Sequence, residues 1–364
     1  MAVAQGTGSA GRTTGTTRRE GYPELTPAFT WITLFLGLWG FFGSVVDINA
    51  HNHGEVDDSF FTPFHFLMYS GVAANGLFYV IMQVRNMARG HSLMKALPKE
   101  YLPAFAGVLL FGIGGVLDLG WHELFGFEEG VDALVSPTHL LLVLSGMLFI
   151  SAPLRSFLAQ GRNDGSWSEL FPPVASATAM FTLGTLFTLY TNVWTQLDRF
   201  VVPDIPLDRA WEIFDSLRPL HAYTVAGVLI PAALMTGTLL FLRQRMRLPF
   251  GVVTFVLFCN ALIMLYIRWQ WTSAHAIALL APVIAGLLGD WLLSRPPGGS
   301  PVIALRRFAF LVPFVYMFSL FVILQLDAGI WWTEHMWIGV SFMAGAAGLG
   351  MSALLTTREL PQAA

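Results

Sequence analysis

The sequence predicts an all-α polytopic integral membrane protein of about ten transmembrane helices, built as helical hairpins with both termini cytoplasmic. Three observations carry this. First, 55% of the 364 residues are hydrophobic and only 12% are charged, and mean hydropathy is +0.61. That is too apolar for a soluble domain of this length. Second, the apolar residues fall into runs of about twenty, the length a helix needs to cross a bilayer. Third, the basic residues are segregated. With the N-terminus inside, the inner segments take all of the 20 Lys and Arg except Arg199, Arg209, Arg218 and Arg268. This is the positive-inside pattern, and it favours an even number of spans.

Residues 1–27, rich in Gly, Thr, Ser and Arg, read as a disordered cytoplasmic tail. The predicted spans are 29–47, 64–84, 102–120, 137–158, 173–193, 220–242, 248–268, 272–293, 305–326 and 335–355. Residues 28–160 form a repeated two-hairpin unit, 161–357 form further transmembrane hairpins, and 358–364 form a C-terminal tail. The outer loop 194–219 is the longest, and its Trp211, Ile213 and Phe214 predict a short interfacial helix. Most acidic residues, and every histidine except His91, fall on the outer face. That face suits cations. The net charge of −3 gives no surface for nucleic acid. The expected surroundings are the lipid bilayer of the cytoplasmic membrane.

A ligand-rich element occurs twice. Residues 47–65 read DINAHNHGEVDDSFFTPFH, and 118–139 read DLGWHELFGFEEGVDALVSPTH. Asp47-x3-His51 matches Asp118-x3-His122. Counting back from His65 and His139, Pro63 matches Pro137, Thr62 matches Ser136, Asp58 matches Asp132 and Glu55 matches Glu129. Self-similarity of this kind marks a repeated structural unit. The later hairpins echo it weakly, through Asn192-x3-Gln196 with His221, then Arg268 with His275, then Asp327 with Glu334-His335. The pattern reads as five two-helix units with ligands intact in two and eroded in three.

The spacing carries chemistry. Residues four apart on a helix share a face, so Asp47 and His51 project together from the outer end of the first span. Pro63 suits the first turn of the next helix, and a tight hairpin returns His65 beside His51. Asp118, His122 and His139 repeat the arrangement. Two imidazoles and a carboxylate suit copper, zinc or iron(II) and leave a coordination position open. The single cysteine, Cys259, rules out a multi-thiolate site. Asp58 and Asp132 are candidates to orient a ligand imidazole from behind. His53, without a counterpart, reads as a solvated loop residue, as do the charges at Glu55, Asp57, Glu123, Glu128 and Glu129. Arg268 reads as an ion-pair partner or interfacial anchor. Haem held by paired histidines, metal delivery and a purely structural role are further readings of these residues.

The stretch from His51 to His65, with Asp47 before it, resembles the C subunit of the copper membrane monooxygenases, the particulate methane and ammonia monooxygenases. Asp47, His51 and His65 fall on that family's first copper ligands, and Asp58, Phe61, Thr62 and Pro63 on its flanking motif. Asp118, His122 and His139 are similar to its second site, with Asp118 where the family has asparagine and Asp132 on its acidic position. The resemblance covers residues of about 30–155. It implies two copper sites facing the outer side of the membrane and oxygen-dependent hydroxylation of a small apolar substrate. It also implies additional membrane subunits in a homo- or hetero-oligomer.

The orientation is directly testable. A cysteine introduced at Gly54 or Gly130 is expected to react with a membrane-impermeant maleimide on intact cells. One at Gly90 or Gly161 is expected to react only after the membrane is opened, and the reverse pattern would overturn the assignment.

Overall fold

The computed structural model describes residues 19–55, 60–128, 130–201, 220–269, 273–295 and 300–355. The described chain is helical, without a β-sheet. The helices in order are α1 Pro27–Asn52, α2 Pro63–Ala88, α3 Leu102–Phe125, α4 Val131–Val135, α5 Pro137–Ile150 and α6 Ala152–Ala159. They continue with α7 Trp167–Leu186, α8 Leu220–Arg245, α9 Val252–Trp269, α10 Leu280–Ser294, α11 Pro301–Asp327 and α12 Glu334–Leu355.

Among the described residues, eight helices are long and apolar enough to cross a membrane, and α5 with α6 makes a ninth if the pair, bent by 40°, counts as one span. Every one of the ten predicted apolar runs carries helix, but α7 does not join the set that qualifies by length and hydropathy. The predicted fifth span, 173–193, is cut short at Leu186 and begins earlier, at Trp167. The reason is local. Beyond Leu186 the hydroxyls of Thr188 and Thr191 donate to Thr185 and Thr188 carbonyls at 2.6 and 3.1 Å, and Trp194 N–H donates to Asn192 Oδ1 at 3.0 Å. Such side-chain bonds compete with the helical ladder and turn the chain. Residues 1–18, the predicted interfacial helix around Trp211 and the tail 358–364 lie outside the described residues.

The first two hairpins, α1 with α2 and α3 with α5, are built to the same register. Gly43, four residues before Asp47, packs against the backbone of Met68, three after His65. Gly114, four before Asp118, packs against Leu142, three after His139. Farther from the ligand end of the first hairpin, Gly71 meets the Gly40 backbone so closely that a Cβ has no room. Small residues let helix backbones approach where lipid provides no hydrophobic drive for association. The close contact sits one turn or so below each ligand set, so the helix ends carrying the ligands are held together.

The second half braces this unit. Asn49 of α1 donates to the carbonyls of Tyr266 and Ile267 at 2.8 and 3.2 Å, covering acceptors at the C-terminal end of α9. The other end of α9 is capped from α10, where buried Asp290 accepts from Val253 N, Thr254 N and Thr254 Oγ1 at 2.9, 3.1 and 2.7 Å. A carboxylate buried in an apolar bundle is tolerated because it is saturated with donors and faces a helix N-terminus. Arg268 is exposed at the end of α9, its guanidinium 5.7 Å from the Trp269 ring centroid, as suits an anchor at the bundle surface.

Because the Gly71 contact is backbone against backbone, Gly71→Ala is expected to cost about 1–3 kcal/mol by overpacking. Gly112, which has open space around it, provides the control. Gly112→Ala should hold or gain stability, helix propensity favouring alanine by about 0.5–1 kcal/mol. Thermal unfolding in detergent reads both.

Candidate metal centres

The repeated Ser/Thr-Pro-x-His motif has a local structural meaning. Thr62 and Ser136 are N-caps, with Pro63 and Pro137 opening the helices behind them. Thr62 Oγ1 accepts from His65 N–H at 3.1 Å and Ser136 Oγ accepts from His139 N–H at 3.4 Å. Each cap therefore fixes its histidine in the first helical turn, with the ring reaching back toward the preceding helix end.

The six predicted ligands come together in two groups of three, Asp47 with His51 and His65, and Asp118 with His122 and His139. Within each group the candidate ligand atoms lie within 4.8 Å of one another. In the first, Asp47 Oδ1 is 3.4 Å from His65 Nε2 and Asp47 Oδ2 is 3.8 Å from His51 Nε2. In the second, Asp118 Oδ1 is 3.4 Å from His139 Nε2 and Oδ2 is 3.4 Å from His122 Nε2. The two imidazole centroids are 5.7 Å apart in both groups. The copies are thus congruent in three dimensions, with the carboxylate straddled by two imidazoles.

These separations discriminate between two kinds of contact. A charge-assisted N–H···O bond closes to about 2.7–2.9 Å. Ligand atoms each about 2.0–2.1 Å from a shared tetrahedral ion sit about 3.3–3.4 Å apart. Three of the four observed spacings, at 3.4 Å, match the second, and the Asp47–His51 spacing of 3.8 Å is wider than either. Among the described residues, Asp47 Oδ1 and Asp118 Oδ1 are buried without a hydrogen-bond partner. A buried acceptor left bare is costly, and a cation in the group would satisfy it.

Tautomers are arranged accordingly. His65 Nδ1 faces the Phe60 carbonyl at 2.6 Å, and His139 Nδ1 faces the Ala133 carbonyl at 2.6 Å. A carbonyl only accepts, so Nδ1 carries the proton and the bare Nε2 points into the group. This backing fixes ring orientation and makes the imidazole a better donor to a metal. The residues predicted for that duty fare differently. Asp132 is exposed, one residue before the carbonyl that backs His139, and Asp58 lies outside the described residues.

Glu128 departs from its reading as a solvated loop charge. Gly126, at φ +82°, ends α3 and turns the chain back over His122. Phe127 then stacks on the His122 ring at 4.5 Å, and Glu128 Oε2 comes within 3.3 Å of His122 Nδ1. Its other oxygen accepts from Trp121 Nε1. Nothing in an acidic loop sequence marks this one carboxylate as turned inward.

The two groups are neighbours at one end of the bundle. Phe60 lies between them, its ring 5.0 Å from His65 and 6.4 Å from His122. Tyr69 fills the space beneath, 6.0 Å from Phe60 and 5.7 Å from Phe111. The later hairpins contribute no further group among the described residues. Asn192 is taken up by Thr188 at 3.0 Å, His275 stands edge-on to Trp269 at 5.2 Å, and His335 is exposed. The side chain of His221 lies outside the described residues.

Fold and site together define a class, a helical, membrane-like protein with eight described helices long and apolar enough to cross a membrane and two three-residue His/Asp groups that could hold metal ions. Compared with family models, curated proteins and solved structures, the chain matches none.

If the cap holds His65 in place, Thr62→Ala should cost about 0.5–2 kcal/mol. It should also weaken metal binding in the first group, while Thr62→Ser retains both. Thermal unfolding and metal titration check this, and equal behaviour of the two variants would remove the cap from the account.

Proposed function

We propose that the chain binds copper in both groups and serves as the oxygen-activating part of a membrane hydroxylase acting on a small apolar substrate. The observation that carries the reading is the likeness of the two groups, each with a carboxylate between two imidazoles, its bare buried Oδ1 facing the imidazole whose Nδ1 is held by a carbonyl. His/His/Asp sets without thiolate suit copper, and three protein ligands leave a position open. A copper ion bound there would supply oxygen activation.

The chain's own residues have definable tasks. Asp47 and Asp118 offset the charge of the bound cation. The Phe60 and Ala133 carbonyls keep the proton on Nδ1 of His65 and His139, so that Nε2 remains a donor. Phe61, Phe66, Leu124 and Phe125 are exposed beside the groups, an apolar rim through which a hydrocarbon could pass from lipid. Electrons would come from partner subunits in the same cytoplasmic membrane, with the groups on its outer side. A second reading, copper binding and delivery without catalysis, is favoured by His51, whose side chain is 39% exposed and within reach of an external acceptor.

The test is metal content by mass spectrometry on protein purified from membranes without chelator. About two coppers per chain are expected. His51→Ala/His65→Ala and His122→Ala/His139→Ala should each lose one. Zinc or iron in place of copper would keep the groups and overturn the copper assignment. No metal under copper-replete conditions would overturn the functional reading. Oxygen-dependent hydroxylation of a short hydrocarbon by the copper-loaded protein supports the hydroxylase. Transfer of copper to a soluble acceptor without turnover supports delivery.

A further inference from the structure

We propose that Glu128 is the positioning carboxylate of the second group and makes that group the tighter of the two metal sites. The inference rests on the reading that both groups bind metal, and it concerns how they differ.

The geometry around His122 is specific. Its Nε2 faces Asp118, and its Nδ1 has two acceptors at the same distance, the Gly126 carbonyl and Glu128 Oε2, both 3.3 Å away. Glu128 Oε2 is buried and, among the described residues, has no hydrogen bond of its own. Glu128 Oε1 is held by the Trp121 indole N–H. The carboxylate is therefore pinned through one oxygen and presents the other, bare, to the back of a ligand imidazole. Trp121 and His122 are consecutive on α3, so a single helix end carries both N–H groups that Glu128 faces.

Coordination at Nε2 withdraws electron density from the ring and makes Nδ1–H a stronger donor. The waiting carboxylate then gains a charge-assisted bond that the neutral Gly126 carbonyl cannot match. In return it raises the basicity of the ring toward the metal, the carboxylate–histidine–metal relation that typically changes affinity 10–100-fold. His65 and His139, by contrast, are backed by neutral carbonyls. Burial at the helix-end pair acts in the same direction. Asp118 and His122 side chains are 3% and 6% exposed, against 11% and 39% for Asp47 and His51. Phe127 closes over the His122 ring. The third residues run the other way, His139 being 29% exposed and His65 9%, so the second group opens to solvent at His139 and the first at His51, and the difference in affinity is assigned to Glu128.

Glu128→Gln is an incisive substitution. Glu128 faces two N–H groups, Trp121 Nε1–H, which donates to Oε1, and His122 Nδ1–H, 3.3 Å from the bare Oε2. A glutamine amide offers one accepting oxygen and one NH2, so it must place a donor against a donor on one side. Shape is conserved while the interaction is lost.

The experiment is a titration of the full-length chain in nanodiscs with Cu(II) alone, against a competing chelator of known affinity. His51→Ala and His122→Ala, each disabling one group, assign the steps. The wild-type chain should bind two ions in separate steps, the tighter one lost in His122→Ala. Glu128→Gln should weaken that step by about 10–100-fold and shift the paramagnetic resonance spectrum of the copper in it. The first group's affinity and spectrum should be unchanged, which also reports that the variant is folded. Two steps of equal affinity, or a tighter step lost in His51→Ala, would overturn the inference while leaving metal binding in place. So would a Glu128→Gln variant whose tight step and spectrum match the wild type. No copper in either group would overturn the metal reading itself, and this inference with it.

Discussion

The constraint on which the molecule turns is a carboxylate buried between two imidazoles at the end of an apolar hairpin. Asp47 and Asp118 are both buried, and each holds one oxygen with no hydrogen bond among the described residues. Moving such a group out of water carries a penalty of several kcal/mol unless it is paired. Asp290 shows how the same chain handles a buried acid with a structural task, by giving it three donors. Asp47 and Asp118 are left short of donors, and each faces the Nε2 of a histidine, His65 or His139, whose Nδ1–H is taken up by a carbonyl on the far side. A group arranged in this way is one that could hold a metal ion.

Much of the surrounding structure serves to hold that arrangement. The i,i+4 placement of Asp and His puts two ligand atoms on one helix face. The Ser/Thr cap and following proline start the returning helix so that the third ligand falls in its first turn. The glycines four residues before each aspartate allow the returning helix to approach. None of these devices is costly alone, a cap being worth about 1 kcal/mol. Their agreement in register, in both hairpins, gives two copies of one geometry.

The second half of the chain uses its polar residues differently. Asn260 donates to Thr182 and Thr185 hydroxyls at 3.3 and 2.8 Å, joining α9 to α7. Asn49 ties α1 to the last turn of α9. Such interhelical bonds contribute of the order of 1 kcal/mol each, and they brace the helices that carry the ligands. Where the first two hairpins present ligands, the described parts of the later ones present packing.

The two His/Asp groups were legible in the sequence because each half of a group is a local pattern, a spacing of four on one helix and a fixed offset from a cap on the next. A short hairpin leaves little freedom in how the two halves meet. The apolar runs were legible for the same reason, since helix formation in them depends on continuous local composition. The end of α7 was misplaced because Thr188, Thr191 and Asn192 sit inside a run that averages as apolar, and average hydropathy does not register hydroxyls bonding back to the main chain. Glu128 was illegible for a deeper reason. In the sequence it is one acid among Glu123, Glu129 and Asp132, and only the turn at Gly126, with the stacking of Phe127, aims it at His122. The placement of the two groups side by side across Phe60 is likewise a property of how α2 packs on α3. Sequence by itself determined the helices and the composition of each ligand set, because short-range spacing dictates both. The tertiary structure alone decided which carboxylate stands behind a ligand and how the two sets differ, because those depend on contacts between segments that no local pattern encodes.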